Sequence, residues 1–489
     1  MNSSLDKAAP QAEVDAEGYS KSLGNRQIQM IAIGGAIGVG LFLGAGGRLA
    51  KAGPSLLLAY AICGIAAFFV MRALGELVMH KASAGSFVTY SREFIGPWAG
   101  FVTGWMFWLN WAFTGVAEIT AAGIYVSRWL PDVPQWLTAL VALVVLLSVN
   151  LLSVKLFGEL EFWFAVLKVL AIVAFLFFGA AVVIGGFQVG PSEASVSNVL
   201  GHGGFFPHGF GVCLITFHAV IFAYSGIEMV GITAGEAKDP KKVIPKAVNS
   251  VIWRICVFYI GSVLLLVMIL PWTLYKNGES PFVTVFNYLG YPVIGDVMNF
   301  IVLTAALSSA NSGLYSTGRI LRALADKGEA PGFAGKMNSR HVPYGAIALT
   351  GTVYLFGVLL NKYVEGTAAF EIATAIASLG VIATWASFLI AQMRLRKKAE
   401  QGLIERPAYR MPGGAIASWG TLAFLGLVVV LMGAEPGPDR MAFFCIPLVA
   451  AVLALGWWFV KRRQANRDRQ AEAELAAMTE EAQAPVAAP

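Results

Sequence analysis

Long apolar runs separated by short polar connections dominate the chain. A helix needs about 20 mostly apolar residues to cross the hydrocarbon of a bilayer. The runs predict spans at 27–47, 55–79, 98–126, 136–155, 160–186, 207–232, 247–271, 293–318, 343–361, 368–393, 415–433 and 441–460, twelve in all. Residues 1–24 are polar and lack the apolar core of a cleaved signal peptide, so they read as a tail. Residues 462–489, rich in Ala, Glu and Gln, read as a second solvated tail, helical in part.

Two spans carry a pattern that opposes a continuous helix. The first contains GGAIGVGLFLGAGG, residues 34–47, with seven glycines; each costs about 1 kcal/mol relative to alanine inside a helix. Gly40 and Gly44 form a small-xxx-small pair, so close packing between helices is one explanation. The other is an interruption. Span six contains FAYSGIEMVG, residues 222–231, where Gly226 and Gly231 flank Glu228. Spans one and six are five apart, the relation expected when five helices repeat with inverted topology, and breaks at matching positions mark a binding site near the midplane. A broken helix offers N–H groups at the start of its second half and carbonyls at the end of its first. The former attract an anion and the latter a cation, and a free amino acid carries both charges one carbon apart. Gly38-Val39-Gly40 begins something like a dinucleotide fingerprint, but no soluble strand-turn-helix unit surrounds it, and no Gly-Lys-Ser/Thr follows to make a phosphate loop.

Composition agrees with the bilayer: 57% of residues are hydrophobic and 13% charged, with a mean hydropathy of +0.68. Of the 35 Lys and Arg, 26 fall in the tails and even-numbered connections and six on the opposite side, while Arg72, Lys168 and Arg254 lie within spans. That bias predicts both termini in the cytoplasm of a multi-pass protein of the cell's inner (plasma) membrane. It also accounts for the net charge of +6 without invoking nucleic acid. Cys63, Cys213, Cys256 and Cys445 sit in separate apolar runs, and no two of the five histidines share an i,i+4 face. Neither metal nor cofactor is indicated. The soluble stretches are too short for a catalytic domain, so an enzyme is not expected.

Charge inside the membrane needs a partner or a purpose. Lys168 lies about eight residues into span five, and a structural salt bridge is one reading of it. Glu118 in span three and Glu228 beside the second break are candidate proton carriers. The alternative for either is a carboxyl that bonds local backbone. Arg72 and Glu76, four apart, read as a helical ion pair. The 231–248 stretch predicts a turn at Asp239-Pro240 and a helix start at Pro245.

The stretches IQMIAIGGAIGVGLFLGAG (28–46), RALGELV (72–78), AEIT (117–120), FWFAVLKVLAIV (162–173), GITAGEAKDPKKVIPKAV (231–248) and SSANSGLYSTGRIL (308–321) together resemble the amino acid permeases of the amino acid-polyamine-organocation superfamily. VPQW (133–136) and VNLLSVKLFGELEFWFAVLKV (149–169) are most similar to its bacterial asparagine-transporting branch. The resemblance implies an all-α membrane protein with a LeuT-like five-plus-five inverted repeat, helices 1 and 6 broken, plus two C-terminal helices. Its parts would be 25–190 and 205–398 for the repeats and 412–461 for helices 11 and 12.

The implied activity is proton-coupled import of a small polar neutral amino acid by alternating access, with L-asparagine ranked first and a monomer sufficient. Glycine, alanine, serine, aromatic amino acids or 4-aminobutyrate are alternative substrates, and an ion channel or a non-transporting sensor are the alternatives from other classes. Carried over by motif, the N–H groups of Gly38, Val39 and Gly40 would bind the substrate carboxylate. Carbonyls of Ala36, Ile37, Phe222 and Ser225 would take its ammonium, with Phe222 as an aromatic cap, Tyr224 nearby and Glu118 reaching the substrate. Lys168 would place its ammonium where sodium-coupled relatives bind an ion, making protons the coupling ion.

Overall fold

A computed structural model of the chain describes residues 37–81, 86–152, 154–229, 231 and 240–483. Ala36, Gly34, Gly35, the N-terminal tail and the 232–239 connection therefore lie outside the described residues. The described residues open with α1 (Val39–Phe42) and α2 (Gly44–Ala52), which Gly53 ends at φ +60°. There follow α3 (Leu56–His80), α4 (Ser86–Phe94), α5 (Pro97–Val126), α6 (Gln135–Leu152) and α7 (Val154–Ile184). A two-stranded hairpin, Gln188–Val189 with Ser192–Glu193, then interrupts the otherwise helical order. The second part holds α8 (Phe210–Ile215), α9 (Phe217–Ala223), α10 (Pro240–Arg254) and, beyond the π-helical turn Ile255–Gly261, α11 (Ser262–Ile269). Next come α12 (Pro281–Tyr288), α13 (Pro292–Asp326), α14 (Tyr344–Tyr363) and α15 (Gly366–Glu400). The last two are α16 (Gly414–Ala434) and α17 (Pro438–Gln483). Among the described residues, nine helices are long and apolar enough to cross a membrane. The protein is a multi-pass membrane protein.

Prolines at the first helical positions of α5, α12 and α13 start those helices where the missing N–H costs nothing. The core forms where α5 runs along α13 and α15, burying Phe107, Trp111 and Trp385. α7 shows how one helix divides its surface. Glu161, Lys168, Phe175 and Val182 are buried, whereas Trp163, Leu170, Phe177 and Ile184 are exposed. Both sets repeat every seven residues, so they fall on opposite sides of the helix. The outward stripe, with similar apolar rows on α6, α16 and α17, suits contact with lipid tails.

Contacts at the helix ends bring the 86–96, 327–343 and 401–413 connections to one face. Arg92 to Glu329, Lys398 to the Glu93 carbonyl and Arg340 to the Leu152 carbonyl tie this basic face together. On the opposite face Lys51 pairs with Glu435, Arg128 with Asp296 and Asn277 with Glu371.

Two local expectations fail. Arg72 and Glu76 do not pair with each other. The 401–413 loop folds beneath the bundle, so Glu76 accepts from Arg406 at 2.8 Å, Gln392 at 2.9 Å and the Met411 N–H at 2.8 Å. Arg72 bonds Asn249 and the Arg410 carbonyl and stacks on Tyr409. This set satisfies a fully buried carboxylate better than one i,i+4 partner could. α10 begins at Pro240, with Pro245 inside it, and the C-terminal helix runs on to Gln483.

Candidate functional site

Gly38 caps α1 in an extended conformation, φ −131° and ψ −161°, so the chain entering the first helix is unwound at this point. Its carbonyl accepts from Leu41 and Phe42. Val39 and Gly40 are first in the helix, and among the described residues no backbone carbonyl accepts their N–H groups. Glu118 of α5 aims at this spot: a Cβ on Gly38 would stand 2.7 Å from Glu118 Oε1. The carboxylate faces the Val39 N–H and the Ser309 hydroxyl, and Oε2 has no partner among the described residues.

On the other side of the break, Lys168 Nζ donates to the Ile37 carbonyl at 3.2 Å and to Ser308 Oγ at 2.9 Å. Ser308 in turn donates to Glu161 Oε1 at 2.8 Å. Lys168 and Glu161 are both 0% exposed. Burying an unpaired charge this deeply would cost several kcal/mol, and the hydroxyl bridge couples the two opposite charges. The Ile37 carbonyl, expected to take the substrate ammonium, thus already holds a cation supplied by α7.

The sixth span breaks by different means. α9 ends at Ala223, and residues 224–228 form turns around Gly226 at φ +101°, a conformation open to glycine and strained for other residues. Glu228 closes the break locally, accepting the Gly226 N–H at 3.1 Å and Trp385 Nε1 at 3.4 Å. The Phe222 carbonyl accepts the Ser225 N–H at 2.9 Å. By contrast, the Ser225 carbonyl has no donor among the described residues, and its hydroxyl exchanges hydrogen bonds with Asn110. Tyr224 corrects an expectation. Its side chain turns away from the breaks, donating to the Tyr60 carbonyl at 2.8 Å within an edge-on cluster with Tyr60 and Tyr259.

The two breaks touch. A Cβ on Gly40 would stand 2.6 Å from Ala223 Cα, so only glycine permits this approach. Arg48 of α2, buried, folds back to give Gly40's carbonyl a bond of 2.7 Å. One helical turn beyond this contact lies a cavity of about 220 Å³ opening on the opposite face, lined by Gly44, Arg48, Thr216, His218, Phe370 and Asp439 among others. His218 is fixed there between the Ile215 carbonyl and Asp439 at 2.8 Å.

Of the residues expected at the site, the structure gathers Ile37, Gly38, Val39, Gly40, Glu118 and Lys168 at the first break and Phe222, Ser225 and Glu228 at the second. It adds Glu161, Ser308, Ser309, Asn110 and Arg48. Glu161 has a sequence signal, since it lies seven residues from Lys168 and so on its face, but it stands one residue inside the expected span and reads as a boundary residue. Arg48 reads as a loop cation because nothing in the sequence reports a side chain running back along its own helix.

The chain matches the amino acid permease family over residues 27–470. It is 52% identical over 452 residues to an L-asparagine permease of Escherichia coli, covering 92% of this chain and 90% of the relative. It is 49% identical over 468 residues to an L-asparagine permease of Streptomyces coelicolor, covering 95% and 96%. A third relative, L-asparagine permease 1 of Mycobacterium tuberculosis, is 50% identical over 448 residues, 91% of each chain.

Proposed function

The chain belongs to the amino acid permease family, a family of transporters rather than enzymes, and from that membership we propose that it imports L-asparagine in symport with protons. The observation that carries the substrate is the match of about half of all positions, over more than nine-tenths of the chain, to relatives named for L-asparagine. The twelve-span reading follows from the paired breaks. The contact of Gly40 with Ala223 brings the two interruptions together, which supports inverted repeats at 25–190 and 205–398 followed by helices 11 and 12. The basic face is then cytoplasmic, with both termini on it.

In this reading the substrate carboxylate binds the N–H groups of Val39 and Gly40, and its ammonium the Ser225 carbonyl. Glu118 competes for the same N–H groups. A proton that neutralises Glu118 removes the competing charge, so proton and substrate bind together and each raises the other's affinity. Lys168 supplies a tethered amino group at the Ile37 carbonyl, which makes a dissociable metal cation unnecessary there. Glu228, already committed to Gly226 and Trp385, holds the shape of the second break. The cavity one helical turn beyond Gly40, lined by Gly44, Thr216 and Ala219, supports alternating access.

The test is uptake of labelled L-asparagine into proteoliposomes under an inward proton gradient, with a panel of unlabelled amino acids as competitors. Saturable uptake that asparagine suppresses best is expected. Stronger competition by aromatic amino acids or 4-aminobutyrate would remove the substrate assignment, and flux without saturation would favour a channel.

A further inference from the structure

Lys168 reaches more than the helix break. Its ammonium donates to Ser308 Oγ at 2.9 Å, and that hydroxyl donates onward to Glu161 Oε1 at 2.8 Å. Each donor points the same way along the chain of three groups. Glu161 precedes Lys168 by two helical turns on the buried side of α7, a rise of about 10 Å, and α7 starts at the basic face, so Glu161 lies between Lys168 and that face. Glu161 Oε2 has no partner among the described residues, although Asn311 and Ser312 of α13 face the same carboxylate.

We propose that Glu161 is a second proton site, joined to Lys168 by the Ser308 hydroxyl, through which the coupled proton leaves toward the basic face. The inference rests on the proton-symport reading above. In the transfer, one Lys168 N–H bond breaks as its proton bonds to Ser308 Oγ. The hydroxyl's original O–H bond breaks as that proton bonds to Glu161 Oε1. The products are a neutral amine, an intact hydroxyl and a carboxylic acid. Two opposite charges vanish together, so the low-dielectric interior never holds either one alone. The Ile37 carbonyl then loses its ammonium partner, which links proton release to a change in how the first break is held. Among the described residues the other titratable group acting on Lys168 is Glu118, from α5. α13 contributes only the neutral Ser308, Ser309, Asn311 and Ser312. Glu118 therefore stands at the entry to the relay and Glu161 at its exit.

The experiment compares proton-driven uptake with counterflow exchange of labelled L-asparagine in proteoliposomes of the full chain. Glu161→Gln keeps the acceptor for Ser308 and cannot store a proton. Proton-driven initial uptake should fall about 100-fold, the scale of a lost positioned acid or base, while counterflow persists. Ser308→Ala should reproduce this split, and Ser308→Thr, which retains the hydroxyl, should restore proton-driven uptake. Wild-type proton-driven uptake in Glu161→Gln or Ser308→Ala would overturn the relay. So would Ser308→Ala and Ser308→Thr losing both modes alike, which marks a packing role. If the wild-type protein itself ignores a proton gradient, the symport reading falls and takes the relay with it.

Discussion

The two interrupted helices solve one problem in contrasting ways. At the second break, groups close in sequence satisfy the freed backbone. Glu228 caps Gly226 two residues earlier, the Ser225 N–H reaches Phe222, and the Gly231 N–H reaches the Glu228 carbonyl. At the first break, the partners come from distant helices and are charged. Lys168 of α7 holds the Ile37 carbonyl, Glu118 of α5 faces the Val39 N–H, and Arg48 returns to Gly40. A locally capped break is a fixed shape. One held by ionisable side chains can exchange those partners for a substrate or lose them to a proton, so under the proposed mechanism proton coupling lies at the first break, and the second is the fixed half of the substrate site.

Substitutions break or sharpen this contrast to different degrees. Lys168→Met should have the largest effect: it leaves Glu161 buried without its cation and costs about 3–5 kcal/mol. The expected readout is a marked fall in thermal stability in detergent with loss of proton-driven uptake. Gly40→Ala comes next, because its new methyl meets the backbone of Ala223, which has little room to yield. A strain of about 1–3 kcal/mol should lower the initial uptake rate about tenfold with little change in protein level. The two carboxyls then separate the breaks directly. Glu118→Gln should make uptake insensitive to external pH, whereas Glu228→Gln should keep the wild-type pH profile and lose about 1 kcal/mol of stability. A pH profile flattened by Glu228→Gln instead would reverse the division of labour. Smallest is Asn110→Ala, which removes the hydrogen bonds to Ser225 and should raise the KM for asparagine about fivefold, the equivalent of about 1 kcal/mol.

Much of this architecture was legible in the sequence. The apolar runs at 55–79, 98–126 and 415–433 match α3, α5 and α16 to within a residue at either end, since span length is set by the bilayer. The glycines around Gly226 announced the turns at 224–228, because helix propensity fails there. Lys168 stood out because a charge in hydrocarbon is costly.

What was hidden depended on direction rather than position. A helix buried on every side has no amphipathic stripe to orient it, so the turning of Tyr224 toward Tyr60 left no trace in the sequence. The capture of Glu76 by Arg406 and Met411 depends on a loop 330 residues away folding underneath. α12, eight residues long, is too short to span and so escaped a search tuned to spans.

The account turns on a lysine side chain tethered at the first break in place of a dissociable metal cation. The most direct measurement is accumulation of labelled L-asparagine by wild-type proteoliposomes given either a proton gradient alone or a sodium gradient alone, with the membrane potential clamped. The proton gradient should drive accumulation and the sodium gradient should leave the inside and outside concentrations equal. Accumulation driven by sodium alone would contradict the role assigned to Lys168.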